Sequence, residues 1–179
     1  MKQRGPARRP AGGEGPDPRA LAAALDELDR ARRPLHVELR ELQKDPSARA
    51  GPPARLQCLR GQNQMRISPL EAIAIARAMA ARPELRARLP AVLRRLAAEL
   101  PRLRDTTARQ PFDCPLLEKG LCLVHRAAKP VGCLAWNPGR PFSDAGWFAF
   151  ARRDALNDGL FGRKWKLRAI PLWLARVLR

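Results

Sequence analysis

The sequence predicts a mainly α fold, a small helical bundle with an irregular cysteine-containing loop region. Three observations predict it. Leucine-rich stripes recur at helical spacing between residues 17 and 104. Residues suited to capping helices, several followed at once by proline, stand where those stripes begin. From Asp113 to Trp136 the periodicity stops, and Pro115, Gly120, Pro130 and Gly132 punctuate a stretch carrying Cys114, Cys122 and Cys133.

Taken in order, residues 1–16 are Gly-, Pro- and Arg-rich with almost nothing to bury, and read as a disordered basic arm. Residues 17–50 form an N-terminal helical segment and linker. Asp17 is an N-cap with Pro18 at the first helical position. Leu21, Leu25 and Leu28 make one stripe and Leu35, Leu39 and Leu42 a second, and Pro34 between them is expected to end or kink the helix. His36, beside that stripe, reads as a surface or packing residue. Asp45–Pro53 reads as linker, with Pro46, Gly51, Pro52 and Pro53 blocking helix.

Residues 51–142 carry the cysteines. Cys58 comes first, followed by Ser68-Pro69-Leu70-Glu71, a capping box in which hydroxyl and carboxylate reciprocally accept two otherwise unpaired amides. The helix it opens, Pro69–Ala81, is apolar on nearly every face except Glu71 and Arg77 and is expected to be central and buried. Pro83–Arg104 is helical again, broken near Pro90. Leu85, Leu89, Val92, Leu93, Leu96, Leu100 and Leu103 form its core side. Arg86, Arg88, Arg94, Arg95, Arg102 and Arg104 lie outside. That basic face suits phosphates, although a solvated helix surface is the plainer reading.

All aromatic residues, five Phe and four Trp, lie from Phe112 onward. Phe142, Trp147, Phe148 and Phe150 are expected to pack around the cysteine loop. Residues 143–179 form an aromatic, basic C-terminal segment, whose last stretch from Phe161 has no acidic residue. It admits three readings: an amphipathic segment touching a membrane surface, a nucleic-acid-touching tail with stacking tryptophans, or an element docked on the core with its arginines in water.

With 179 residues the chain suits one domain plus appendages. Hydrophobic residues make up 45% and charged residues 29%, a globular balance. The net charge of +18 and isoelectric point near 11.5 point to nucleic acid, anionic lipid or an acidic protein as partner. The same excess follows from the arginine, alanine, proline and glycine bias of a GC-rich genome. No apolar run is long enough for a transmembrane helix, and the Gly- and Pro-rich start lacks a signal peptide's apolar core. A cytoplasmic location is therefore expected, where thiols stay reduced and metal binding is favoured over disulfides.

The cysteine spacings are C-x55-C, C-x7-C and C-x10-C. Four thiolates complete a closed tetrahedral zinc site or hold one iron–sulfur cluster. No C-x-x-C knuckle is present. Arg60, Lys119, Arg126 and Lys129 offset the charge of such a site, and His125 is a candidate to replace one thiolate. The plain alternative is four small apolar residues in a core.

The run C-P-L-L-E-K-G-L-C-L-V-H-R-A-A-K-P-V-G-C resembles the second half of the YkgJ-type cysteine cluster family, also called the CxxCxxCC or zinc- or iron-chelating domain. Cys114, Cys122, Cys133 and the Val124-His125 pair fall on matching positions. Cys58 precedes a Ser68-Pro69-x-Glu71 helix start as the family's N-terminal cysteines precede theirs. The resemblance spans roughly Cys58 to Trp136. Where the family has several cysteines in its first cluster, including an adjacent pair, this chain has only Cys58, and Lys129 stands where the family has arginine.

The resemblance implies metal chelation; the expected site is Cys58, Cys114, Cys122 and Cys133 holding one zinc ion, preferred because a tetrahedral four-thiolate site suits a structural staple, or one iron–sulfur cluster. No nucleophile–base pair, paired acids or phosphate-cradling glycine loop points to a catalytic reaction. Two other readings stand beside it: a basic nucleic-acid-binding or regulatory module in which the cysteines are only structural, and a thiol redox sensor.

Overall fold

A computed structural model describes residues 15–44, 63–104, 110–136 and 141–178. The expected basic arm (but for its last two residues), the linker and Cys58 lie outside the described residues. The helices are α1 (Pro18–Lys44), α2 (Pro69–Ala81), α3 (Pro83–Arg86), α4 (Leu89–Glu99), α5 (Val131–Ala135), α6 (Asp144–Phe161) and α7 (Ile170–Val177). Two small antiparallel pairs join them. β1 (Arg66–Ile67) pairs with β4 (Arg168–Ala169), and β2 (Leu117–Glu118) with β3 (Leu121–Cys122). The mainly α expectation is met.

Helix α1 starts as its sequence predicts, with the Ala20 amide donating to Asp17 Oδ2 at 2.7 Å. It does not stop at Pro34, which lies inside a single helix of 27 residues. The reason is placement. Pro34 is on the exposed side, where the carbonyl it leaves unpaired can reach water, while Leu28 and Leu35 on the opposite side are buried and hold both halves to the core. α1 packs most extensively on α6 and also meets α5.

Helix α2 divides the core. Its Ile75 and Met79 face a cluster with Val92, Leu96, Phe112 and Leu174. Its Leu70 faces a second cluster with Leu28, Leu35, Val131 and Leu134. Pro69–Ala81 is therefore the central helix, as expected. The break in the following run falls at Ala87–Arg88, so that Pro90 sits in the first turn of α4, where no amide donor is required. Leu93, assigned to the core by spacing, is 40% exposed. The C-terminal helix α7 docks on α2 and α4 through Ile170, Pro171 and Leu174, which is the core-docked reading of that segment. No helix among the described residues is long and apolar enough to cross a membrane.

The capping box forms in full. The Glu71 amide donates to Ser68 Oγ at 3.3 Å, and the Ser68 amide to Glu71 Oε2 at 2.9 Å. Glu71 nonetheless does more than cap. It is completely buried, its Oε1 accepts the Val131 amide at 2.8 Å, and Arg153 of α6 lies 3.9 Å from Oε2. Asn157, also buried, accepts the Leu70 amide at 3.1 Å and donates to the Arg153 carbonyl. Three elements thus converge on one carboxylate. Glu71→Ala should destabilise the protein by roughly 2–4 kcal/mol, because it leaves the buried Ser68 and Val131 amides without acceptors, while Arg153 keeps its closer partner Asp154 at 2.7 Å. Urea unfolding monitored by circular dichroism checks this, and a loss below about 1 kcal/mol would contradict the assignment.

Candidate functional site

The segment from Phe112 to Trp136 has little regular structure, and its main chain is held chiefly by side chains from the bundle. The Phe112 amide donates to the Asn63 carbonyl at 2.9 Å. The Asp113 amide donates to Oε2 of the buried Glu99 at 3.1 Å, and Arg95 Nε donates to the Pro115 carbonyl at 2.8 Å. Cys114, between these anchors, is 7% exposed, and its carbonyl closes a turn by accepting the Leu117 amide at 3.0 Å.

A two-residue hairpin follows, in part correcting the expectation of plain loop. Leu117 pairs with Cys122 and Glu118 with Leu121. The connecting residues Lys119 and Gly120 both have positive φ, 50° and 77°. That is the type I′ pattern, whose twist matches paired strands and which glycine tolerates without strain. Arg88 braces the hairpin, 3.3 Å from Glu118.

Cys122 leaves the hairpin half-buried, its carbonyl accepting the His125 amide at 3.1 Å. Tight turns run to Ala128, and the Val131 amide, bonded to Glu71, starts the short helix α5 that carries the half-buried Cys133. Cys114 belongs to the larger apolar cluster, and Cys122 and Cys133 pack against the same cluster. None of these three cysteines is without an interaction partner. Cys58, the fourth predicted ligand, lies outside the described residues. Among the described residues, no group of three or more His, Cys, Asp or Glu side chains is placed to hold a metal ion.

The acidic groups bordering the segment are already engaged: Glu71 and Glu99 with main-chain amides, Glu118 with Arg88. His125 Nδ1 lies 3.3 Å from Lys129 Nζ, so that nitrogen accepts from the ammonium.

Sequence reasoning missed Glu99 and the second role of Glu71. Glu99 had a signal, since it shares helical spacing with Val92, Leu96 and Leu103 and so falls on the core side of α4. His36 is half-buried, in keeping with a surface or packing residue. It faces the cysteine segment, and its charge acts on His125 across the α1 boundary.

The aromatic expectation is met in part: Phe150 packs against the cluster that includes Val131 and Leu134 of the cysteine segment. At the start of α6, Phe142 packs edge-on against Trp147 and Phe150, with centroids 5.5 and 5.2 Å apart, and Trp147 lies tilted against Phe150 at 6.4 Å. Trp147 and Phe148 are 61% and 57% exposed, so they do not enclose the cysteines. The outer basic face is also less free than its composition suggests. Arg86 caps the Ala80 carbonyl at 2.9 Å, Arg95 holds Pro115, and Arg102 lies 3.5 Å from Glu99.

Partial burial, followed by the charges of Arg32, Lys129 and Arg40, holds the His36 imidazole below its usual value of 6.5, with Asp29 opposing them. His125 across the boundary shifts the same way. The unfolded chain then binds more protons than the folded one below 6.5, so this group's stabilising contribution is present above that pH and lost as pH falls through it. The urea midpoint should fall between about pH 7.5 and 5.5, and His36→Gln should flatten part of that slope. An unchanged slope in the variant would remove His36 from the account. No protein-family model, curated protein or solved structure matches the chain.

Proposed function

We propose that the chain is a metal-binding protein in which Cys58, Cys114, Cys122 and Cys133 hold one zinc ion, with a single iron–sulfur cluster as the next choice. The observation that carries the reading is the shared setting of Cys114, Cys122 and Cys133. They come from three separately anchored pieces of main chain and border one apolar cluster. A stretch whose order rests on side-chain anchors gains most from a cross-link.

Engagement of the neighbouring carboxylates by amides and arginine favours a thiolate set, which suits zinc or iron and disfavours magnesium or calcium. When bound, a four-thiolate zinc supplies structure rather than an open coordination position for hydrolysis. The residues' own part is to present sulfur at fixed points: Cys114 from a closed turn, Cys122 from a hairpin strand, Cys133 from a helix begun by the Glu71 bond. The likeness to the YkgJ-type family agrees with this reading.

Anaerobic purification, elemental analysis and an absorption spectrum test it. The expected result is about one zinc per chain and no visible colour. A brown protein containing iron and acid-labile sulfide would instead indicate the cluster. Cys114→Ser, Cys122→Ser and Cys133→Ser should each cut bound metal by at least about half, since loss of one of four ligands opens the site. Cys58→Ser compared with His125→Asn decides the fourth ligand. Absence of both metals, with every thiol titratable in the folded protein, would overturn the proposal.

A further inference from the structure

Outside the cysteine set, the strongest unexplained feature is Arg32. It lies on the buried side of α1, 2% exposed, between Leu28 and Leu35. One nitrogen, Nη1, donates to Asp29 Oδ1 at 3.0 Å. The other two, Nε and Nη2, are buried and have no hydrogen-bond partner. A guanidinium with two of its three nitrogens buried and unmatched is disfavoured, and native proteins seldom leave such donors without an occupant.

The surroundings indicate that occupant. One turn along α1 stands His36, on which Arg32 exerts the largest charge effect and Lys129 the next. Lys129 reaches in from the cysteine segment, its Nζ held 3.3 Å from His125 Nδ1. Just beyond it, α5 packs against α1, which closes the junction from one side. The single carboxylate among these groups, Asp29, is already bonded to Arg32 and has 58% of its side chain in solvent. Positive charge thus converges from two elements with little to balance it.

We propose that the junction of α1 with the cysteine segment is a binding site for a small tetrahedral oxyanion of the phosphate class, held by the Nε and Nη2 donors of Arg32 and by Lys129, with His36 and His125 at its edge. Paired guanidinium nitrogens match two oxygens of one phosphate, and an ammonium adds a third contact from another direction. A carboxylate offers two coplanar oxygens and uses such converging donors less fully. The site adjoins the proposed thiolate set through His125 and Lys129, but the donors that hold the anion, Arg32 and Lys129, are not among the proposed metal ligands.

The test uses the full-length protein as purified, titrated with inorganic phosphate at constant ionic strength and followed by calorimetry and thermal unfolding. Saturable binding is expected, with a midpoint that rises with phosphate concentration. Arg32→Met and Lys129→Gln should each weaken binding about tenfold or more, whereas Arg94→Gln on the far face of α4 should leave it unchanged. Without phosphate, Arg32→Met should be at least as stable as the parent, because it removes an unmatched buried cation. If Arg32→Met fails to fold, Lys129→Gln still decides the point. Acetate equal to phosphate would mean a carboxylate site and overturn the oxyanion assignment. An undiminished phosphate affinity in Lys129→Gln, or no saturable binding, would overturn the site itself.

Discussion

The buried carboxylate of Glu71 is the interaction on which the rest of the structure depends. A charge with no solvent contact is tolerated only when its lone pairs are taken up by donors. Here the donors belong to three different parts of the chain: the start of α2, the start of α5 and, through Arg153, the middle of α6. Because α2 lies between the two apolar clusters, fixing its first turn also sets the relation between them. The Asn157 side chain repeats the device one residue earlier, on the Leu70 amide. Burial supplies most of the free energy of such a fold, and directional bonds of this kind select one arrangement of its helices.

The same logic governs the cysteine-bearing segment. With strands only two residues long it cannot satisfy its own amides by a sheet ladder. Glu99, Arg95, the Asn63 carbonyl and Glu71 take over that task, one anchor every few residues. The thiols therefore inherit their positions from α2 and α4. Cys114 is tied most closely to α4, Cys133 to α2, and Cys122 to the hairpin between them. A bound metal would draw these separate anchors into one cooperative unit.

Much of this fold is legible from local chemistry. Asp17-Pro18 and Ser68-Pro69-x-Glu71 mark helix starts because only a few residue types satisfy the free amides there, and both form as read. Pro34 does not end its helix, for a tertiary reason. The cost of one missing hydrogen bond is small on a solvated face when leucines on both sides of it are buried, and no local rule contains that information. The hairpin at Lys119-Gly120 hides in a stretch too short for period-two patterning. The candidate site is half legible: the three described cysteines that the sequence singles out border one apolar cluster, whereas the groups that anchor their segment, Glu71, Glu99, Arg95 and the Asn63 carbonyl, carry no mark of that role in the sequence. Exposure of Trp147 and Phe148 likewise depends on the orientation of α6, which the count of aromatics does not report.

The large positive charge is best understood residue by residue. Arg66 donates to the Leu167 carbonyl, Arg86 to Ala80 and Arg95 to Pro115, so each arginine closes an irregular carbonyl that regular structure leaves open. Arg153 completes the Glu71 network. Arg168 and Arg176 lie over the Trp173 ring, each 5.4 Å from its centroid, at the docked end of the chain. Some of the guanidinium groups thus act as long-range caps on carbonyls within the fold. A basic isoelectric point in such a protein is weak evidence for a polyanionic partner. The informative cations are those whose donors the fold leaves open, and Arg32 stands apart because it is deeply buried while two of its three nitrogens find no acceptor.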